Sequence, residues 1–155
     1  MSTEAGGPAV DEAVRTLLLL MPRLVGRAKR LPIPAALRGL DLAPRHLALL
    51  AHLEYDGPAT VNDLAARLEL APTTVSLMVG ELSRPGVLER TVDPADRRRR
   101  IIAIAPGYTA AIAELLSGSA TAWEHVMRGL DPAERATVVS ALRAYEAALE
   151  RGSGQ

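Results

Sequence analysis

A chain of 155 residues with 48% apolar side chains can build one ordinary core and is too apolar to remain unfolded. It has no Cys, which excludes disulfides, thiolate metal sites and cysteine redox chemistry, and no Phe, so Leu, Val, Ile and Ala must fill the interior. Net charge is zero, yet residues 84–100 carry six Arg against three acids and residues 15–45 carry seven basic residues against one acid, so a neutral chain can still present a basic face.

Residues 1–8 read as a polar tail. Glu4, Asp11 and Glu12 stand where a secretory signal would be positive, and the apolar run 17–21 is too short to span a bilayer. A cytoplasmic protein with no membrane role is expected. From Val10, the positions Val14, Leu17, Leu18, Met21, Leu24 and Val25 recur at helical spacing, with Pro22 expected to kink that helix. Pro32 and Pro34 break the next stretch into a turn with a short helical piece. Pro44 opens a helix as its first residue, running to about Glu54, and Asp56-Gly57-Pro58 stops it.

The stretch 60–82 is the most informative. Thr60 and Asp63 form a capping box for a short helix with Val61, Leu64, Ala65 and Leu68 on one face. After Glu69-Leu70-Ala71, Pro72 starts a second helix with Val75, Met78, Val79 and Leu82 inward and Thr73, Thr74, Ser76, Leu77 and Gly80 outward. Two short helices joined this tightly form a helix-turn-helix. Pro85-Gly86 ends it. Strand-like runs at 87–91 and 99–104 flank the turn-forming cluster Asp93-Pro94-Ala95-Asp96, which predicts a hairpin with a charged tip. If 97–100 lies on a strand, Arg98 and Arg100 share one face and Arg97 and Arg99 the other. From Pro106, the positions Ile112, Leu115, Leu116, Trp123, Val126 and Met127 mark a long helix. Asp131, Pro132 and Glu134 cap a last one with Val138, Leu142, Tyr145 and Leu149 on a stripe, before a polar tail from Gly152.

This order, with TVNDLAARLELAPTTVSLMVGEL, PGVLER and DPADRRRRIIAI, resembles the MarR (multiple antibiotic resistance) family of winged helix-turn-helix transcription regulators. The resemblance implies a mainly α fold: a winged helix-turn-helix with a two-stranded β-wing and long N- and C-terminal dimerisation helices. One domain over 1–155 is expected, with dimerisation helices at about 9–31 and 107–151 and a DNA-binding lobe at about 44–105. It also implies a homodimer on a pseudo-palindromic operator, acting as a ligand-responsive repressor. Arg98 of the wing would enter the minor groove, oriented by a salt bridge from Asp96.

Hydroxyls at a helix start suit phosphate and base-edge contacts. The DNA-binding residues expected are therefore Thr73, Thr74, Ser76, Leu77, Arg84, Asp96, Arg97, Arg98 and Arg100. Several positions depart from the family pattern. Glu69 stands where the turn often has Gly, Ala71 cannot cap the second helix, and Leu77, Gly80 and Glu81 occupy base-reading positions that frequently carry Arg or Asp. Base readout from this helix is therefore thin.

A small aromatic or phenolic ligand between the dimerisation helices and the lobe, near Arg27, His46 and Trp123, is the weaker expectation. Trp123 is more simply a dimer-core residue. The three histidines have no metal-ligand spacing, and there is no phosphate loop or nucleophile elbow, so neither metal, cofactor nor catalysis is expected. A winged-helix protein-interaction module, or a DNA binder without ligand response, are the competing readings.

Overall fold

The computed structural model describes residues 7–152; of the two expected tails, residues 1–6 and 153–155 lie outside the described part. The elements in chain order are α1 (Val10–Ala28), a 3-10 turn (Ala35–Leu37), α2 (Pro44–Asp56), α3 (Val61–Leu68), α4 (Pro72–Ser83), β1 (Leu88–Val92), β2 (Arg100–Ile104), α5 (Thr109–Arg128) and α6 (Pro132–Gly152). The chain divides into two compact units, 1–116 and 117–155.

In the first unit, the core gathers one apolar face from each of α2, α3 and α4. Leu49, Leu50, Leu64, Val75, Met78 and Val79 are fully buried, joined by Leu37, Val87, Ile102 and Ile112. Truncating one of these leucines to Ala is expected to cost about 2–5 kcal/mol through lost transfer energy and the cavity left behind. The predicted inward set of α4 (Val75, Met78, Val79 and Leu82) is buried as a group.

Local signals set the helix ends. Thr60 Oγ1 accepts from the Asp63 N–H at 3.1 Å, while Asp63 Oδ2 accepts from the Thr60 N–H at 3.2 Å and from its hydroxyl at 2.6 Å. Each partner satisfies what helix geometry leaves unpaired. Gly57, at φ 84° and ψ −177°, ends α2 in a backbone region that other residues reach only with strain. At the other end of α3, the Leu70 N–H donates to the Ala65 carbonyl at 3.0 Å and the Glu69 N–H to Ala66 at 3.4 Å. That pattern is a Schellman motif, and it forces Glu69 into the left-handed region at φ 54°.

The antiparallel pair β1–β2 runs in register from Leu88 opposite Ile104 to Val92 opposite Arg100. Ala59 adds a single antiparallel bridge to Ile102, with reciprocal bonds of 3.1 and 2.8 Å, which ties the hairpin root to the start of α3. Residues 93–99 form the connection, one position later than the expected strand limits of 87–91 and 99–104 imply.

α1 runs through Pro22 and contributes no buried residue. In the second unit, α6 likewise buries none, with Val139, Leu142 and Tyr145 between 42% and 47% exposed. Its start follows the sequence: Asp131 Oδ1 accepts from Ala133 and Glu134 N–H groups at 2.7 and 2.9 Å, and Glu134 reaches back to the Asp131 N–H at 2.8 Å.

Candidate nucleic-acid interface

The exposed side of α4 is built from few chemical types. At about 100° per residue, Thr73, Leu77, Gly80 and Arg84 fall within roughly 60° of one another, with Ser76 and Glu81 flanking them. Thr73, Thr74, Ser76 and Arg84 are exposed, and Leu77 is 70% exposed, the most accessible apolar side chain of this helix. Gly80 has open space where a Cβ would stand, so internal packing does not demand a glycine there. Ala71 makes no side-chain cap, leaving the first N–H groups of α4 without a side-chain acceptor.

Glu81 remains exposed, but its carboxylate is engaged by partners on α2. Its carboxylate lies 2.6 Å from His46 Nε2 and within 3.2 Å of the Arg45 guanidinium, both on α2. The hydrogen bond from His46, then that from Arg45, hold the Glu81 carboxyl below the usual glutamate range. His46 is buried, and its Nδ1 accepts the Ala43 N–H at 3.1 Å. The proton on the other ring nitrogen therefore faces Glu81. Both nitrogens are engaged, so His46, expected beside a ligand, joins α2 to α4 in this structure.

The clamp borders a cavity of about 240 Å³ that also meets Leu40, Asp41, Arg84 and Pro85 but not Arg27. Arg27 is exposed on α1, and Trp123 is half-exposed on α5 in the second unit.

The wing is organised by its own backbone. Asp93 Oδ1 accepts from the Ala95 N–H, Asp96 Oδ1 from the Arg98 N–H, and the Asp96 carbonyl from the Arg99 N–H, each at 2.9 Å. Arg97 and Arg98 thus sit in a turn and not on a strand, and β2 begins only at Arg100. The alternation expected for 97–100 does not apply. Arg98, Arg99 and Arg100 border one groove of about 350 Å³ with Thr60, Val61, Asn62 and Asp63.

No Asp96–Arg98 ion pair is present among the described residues. Asp96 acts on Arg98 through the main chain, because a carboxylate two residues before an N–H closes an Asx turn more readily than it reaches back to a guanidinium. Arg100 Nη1 donates to the Arg97 carbonyl at 3.0 Å and is partly spent on the wing itself.

Arg99, absent from the expected site, lies 3.8 Å from Asp63 and 4.0 Å from Asp93 and so links wing to α3. Hydrogen bonds from Thr60, with the Arg99 and Arg67 charges beyond them, hold the Asp63 carboxyl below the usual aspartate range. Neither this link nor the His46–Glu81–Arg45 clamp has a local sequence signal, since each joins residues some 35 positions apart.

Residues 40–99, which hold the helix-turn-helix, β1 and the wing loop but not β2, match the model of the MarR family. Over this segment the chain is similar to that family. A curated relative, the HTH-type transcriptional repressor MdtR of Bacillus subtilis, is 35% identical over 57 residues, which are 37% of this chain and 37% of that protein. The match thus spans little more than a third of the curated relative.

Among solved structures, RV1404 from Mycobacterium tuberculosis is similar with a TM-score of 0.64 at 23% identity, covering 94% of this chain and 98% of that one. Bordetella bronchiseptica BpsR, solved in a description of how 6-hydroxynicotinic acid regulates its DNA binding, gives 0.56 at 24% identity over 87% and 99%. The winged-helix fold read from the sequence is the fold of these proteins.

Proposed function

We propose that this chain is a MarR-family DNA-binding transcription regulator, acting as a homodimeric repressor on a pseudo-palindromic operator and performing no catalysis. The observation that carries the reading is the placement of an exposed, nearly acid-free α4 face beside a wing whose Arg97 and Arg98 stand in an exposed turn. A helix of this size fits a major groove, and a basic hairpin beside it suits the adjacent minor groove. The same basic hairpin disfavours a protein-interaction module.

The whole chain acts as one functional domain in this reading, with α1, α5 and α6 pairing two copies. Response to a small aromatic acid is part of the proposal on the analogy of BpsR, whose DNA binding is described as regulated by 6-hydroxynicotinic acid. Such coupling requires the ligand to favour the DNA-free form.

Titration of random-sequence duplex DNA with the full chain at increasing salt tests the DNA role. With about 6–10 phosphate contacts, affinity should fall roughly 10³–10⁵-fold between about 50 and 200 mM salt. Arg98→Ala should weaken binding by about 1–3 kcal/mol per wing, the scale of a good polar contact to DNA. Absence of binding at low salt would overturn the proposal.

A further inference from the structure

The exposed face of α4 has an unusual deficit. B-DNA bases are usually told apart in the major groove by Arg or Lys on guanine, Asn or Gln on adenine, and carboxylates on cytosine. Between Pro72 and Ser83 no residue is Arg, Lys, Asn, Gln or Asp, and the one carboxylate, Glu81, is engaged by His46 and Arg45. What this face offers at its centre is Leu77, 70% exposed, followed one turn on by Gly80 with open space at its Cβ position.

Both features cost the isolated protein something. An exposed Leu loses hydrophobic stabilisation, and a mid-helix Gly is a poor helix former. No internal contact of Gly80 accounts for it. Side by side they make an apolar step against which another surface can approach closely.

Resting on the DNA-binding reading above, we propose that α4 reads thymine 5-methyl groups, with Leu77 as the specificity-determining residue. The methyl is the one apolar group that a base pair presents in the major groove, and it marks thymine alone among unmodified bases. Gly80 lets the helix backbone sink far enough for Leu77 to cover that methyl. Thr73, Thr74 and Ser76 hydroxyls serve the flanking phosphates, which position the helix without reading sequence.

The test compares binding of the full chain to poly(dA-dT) and poly(dA-dU), duplexes that differ only by the methyl, in parent and Leu77→Ala proteins. Leu77 is exposed, so its truncation leaves the core intact; an unchanged Tm checks this. One buried methyl group corresponds to about a four-fold preference. The parent should therefore prefer the thymine polymer about four-fold per recognition helix, and Leu77→Ala should bind both polymers alike. Equal binding by the parent overturns the inference while leaving DNA binding intact. A preference that survives in Leu77→Ala also overturns it, because the polymers' shape and stiffness would then be what is read. Binding to neither polymer overturns the DNA-binding reading and this inference with it.

Discussion

Replacing Asp96 by Asn and by Ala separates two roles that a wing-tip carboxylate can have. Asp96 Oδ1 accepts the Arg98 N–H at 2.9 Å, one of three short bonds that shape residues 93–99. An exposed hydrogen bond of this kind contributes about 0.5–1 kcal/mol, the lower part of the usual range, because water competes for both partners. Its loss in Asp96→Ala should loosen the turn that presents Arg98 and weaken DNA binding about 2–5-fold per wing.

The opposing effect is smaller. A carboxylate roughly 10 Å from a phosphate in water repels it by about 0.4 kcal/mol, and one Debye length of salt reduces that to about 0.15 kcal/mol. Asn keeps the acceptor oxygen and drops the charge, so Asp96→Asn should bind DNA as well as the parent or slightly better. Fluorescence anisotropy at fixed ionic strength on one labelled duplex measures all three proteins. If Asp96→Ala tightens binding as much as Asp96→Asn does, charge alone matters and the turn does not position Arg98.

Gly80→Ala should raise stability by about 0.5–1 kcal/mol from helix propensity, since the new Cβ meets nothing within 4 Å, yet weaken DNA binding; a Tm gain without a binding loss would remove Gly80 from the interface. Glu69→Gly should relieve the left-handed strain after α3 and stabilise by about 1 kcal/mol in urea unfolding, and an unchanged midpoint would show that the Schellman turn tolerates Glu without strain. Because Glu81 has a lowered folded-state pKa, its contribution is present above the ordinary carboxylate range near pH 4 and is lost as pH falls through the lower folded value. The stability gap between parent and Glu81→Gln should therefore narrow between about pH 7 and about pH 3; a constant gap contradicts the assigned clamp. Sedimentation should show a dimer held by α1 and the C-terminal helices, with an interface above roughly 2,000 Å². Glu at both Leu17 and Leu18, now 54% and 66% exposed, should yield monomer, and a stable parent monomer at micromolar concentration would refute the assembly.

Much of the fold was legible in local chemistry. Thr60 with Asp63, Pro72, and Asp131 with Glu134 mark helix starts through bonds that span only a few residues, so spacing along the chain suffices to place them. The inward face of α4 followed from periodicity, because a helix that borders a core must bury one stripe. Glu69 departs from the glycine that such a turn favours, and its positive φ follows from the tight turn.

Three features needed the tertiary structure. The partners of Glu81 stand on a helix 35 residues earlier, and only packing of α2 against α4 engages that carboxylate. Arg99 became the link between wing and α3 because the Ala59–Ile102 bridge brings Asp63 beside the hairpin root. Arg99 reads as strand from the apolar run that follows it, but two aspartates close turns on the following N–H groups, and β2 begins only at Arg100. Contacts set by short-range geometry can be read from residue order, whereas those joining distant segments depend on how the core packs.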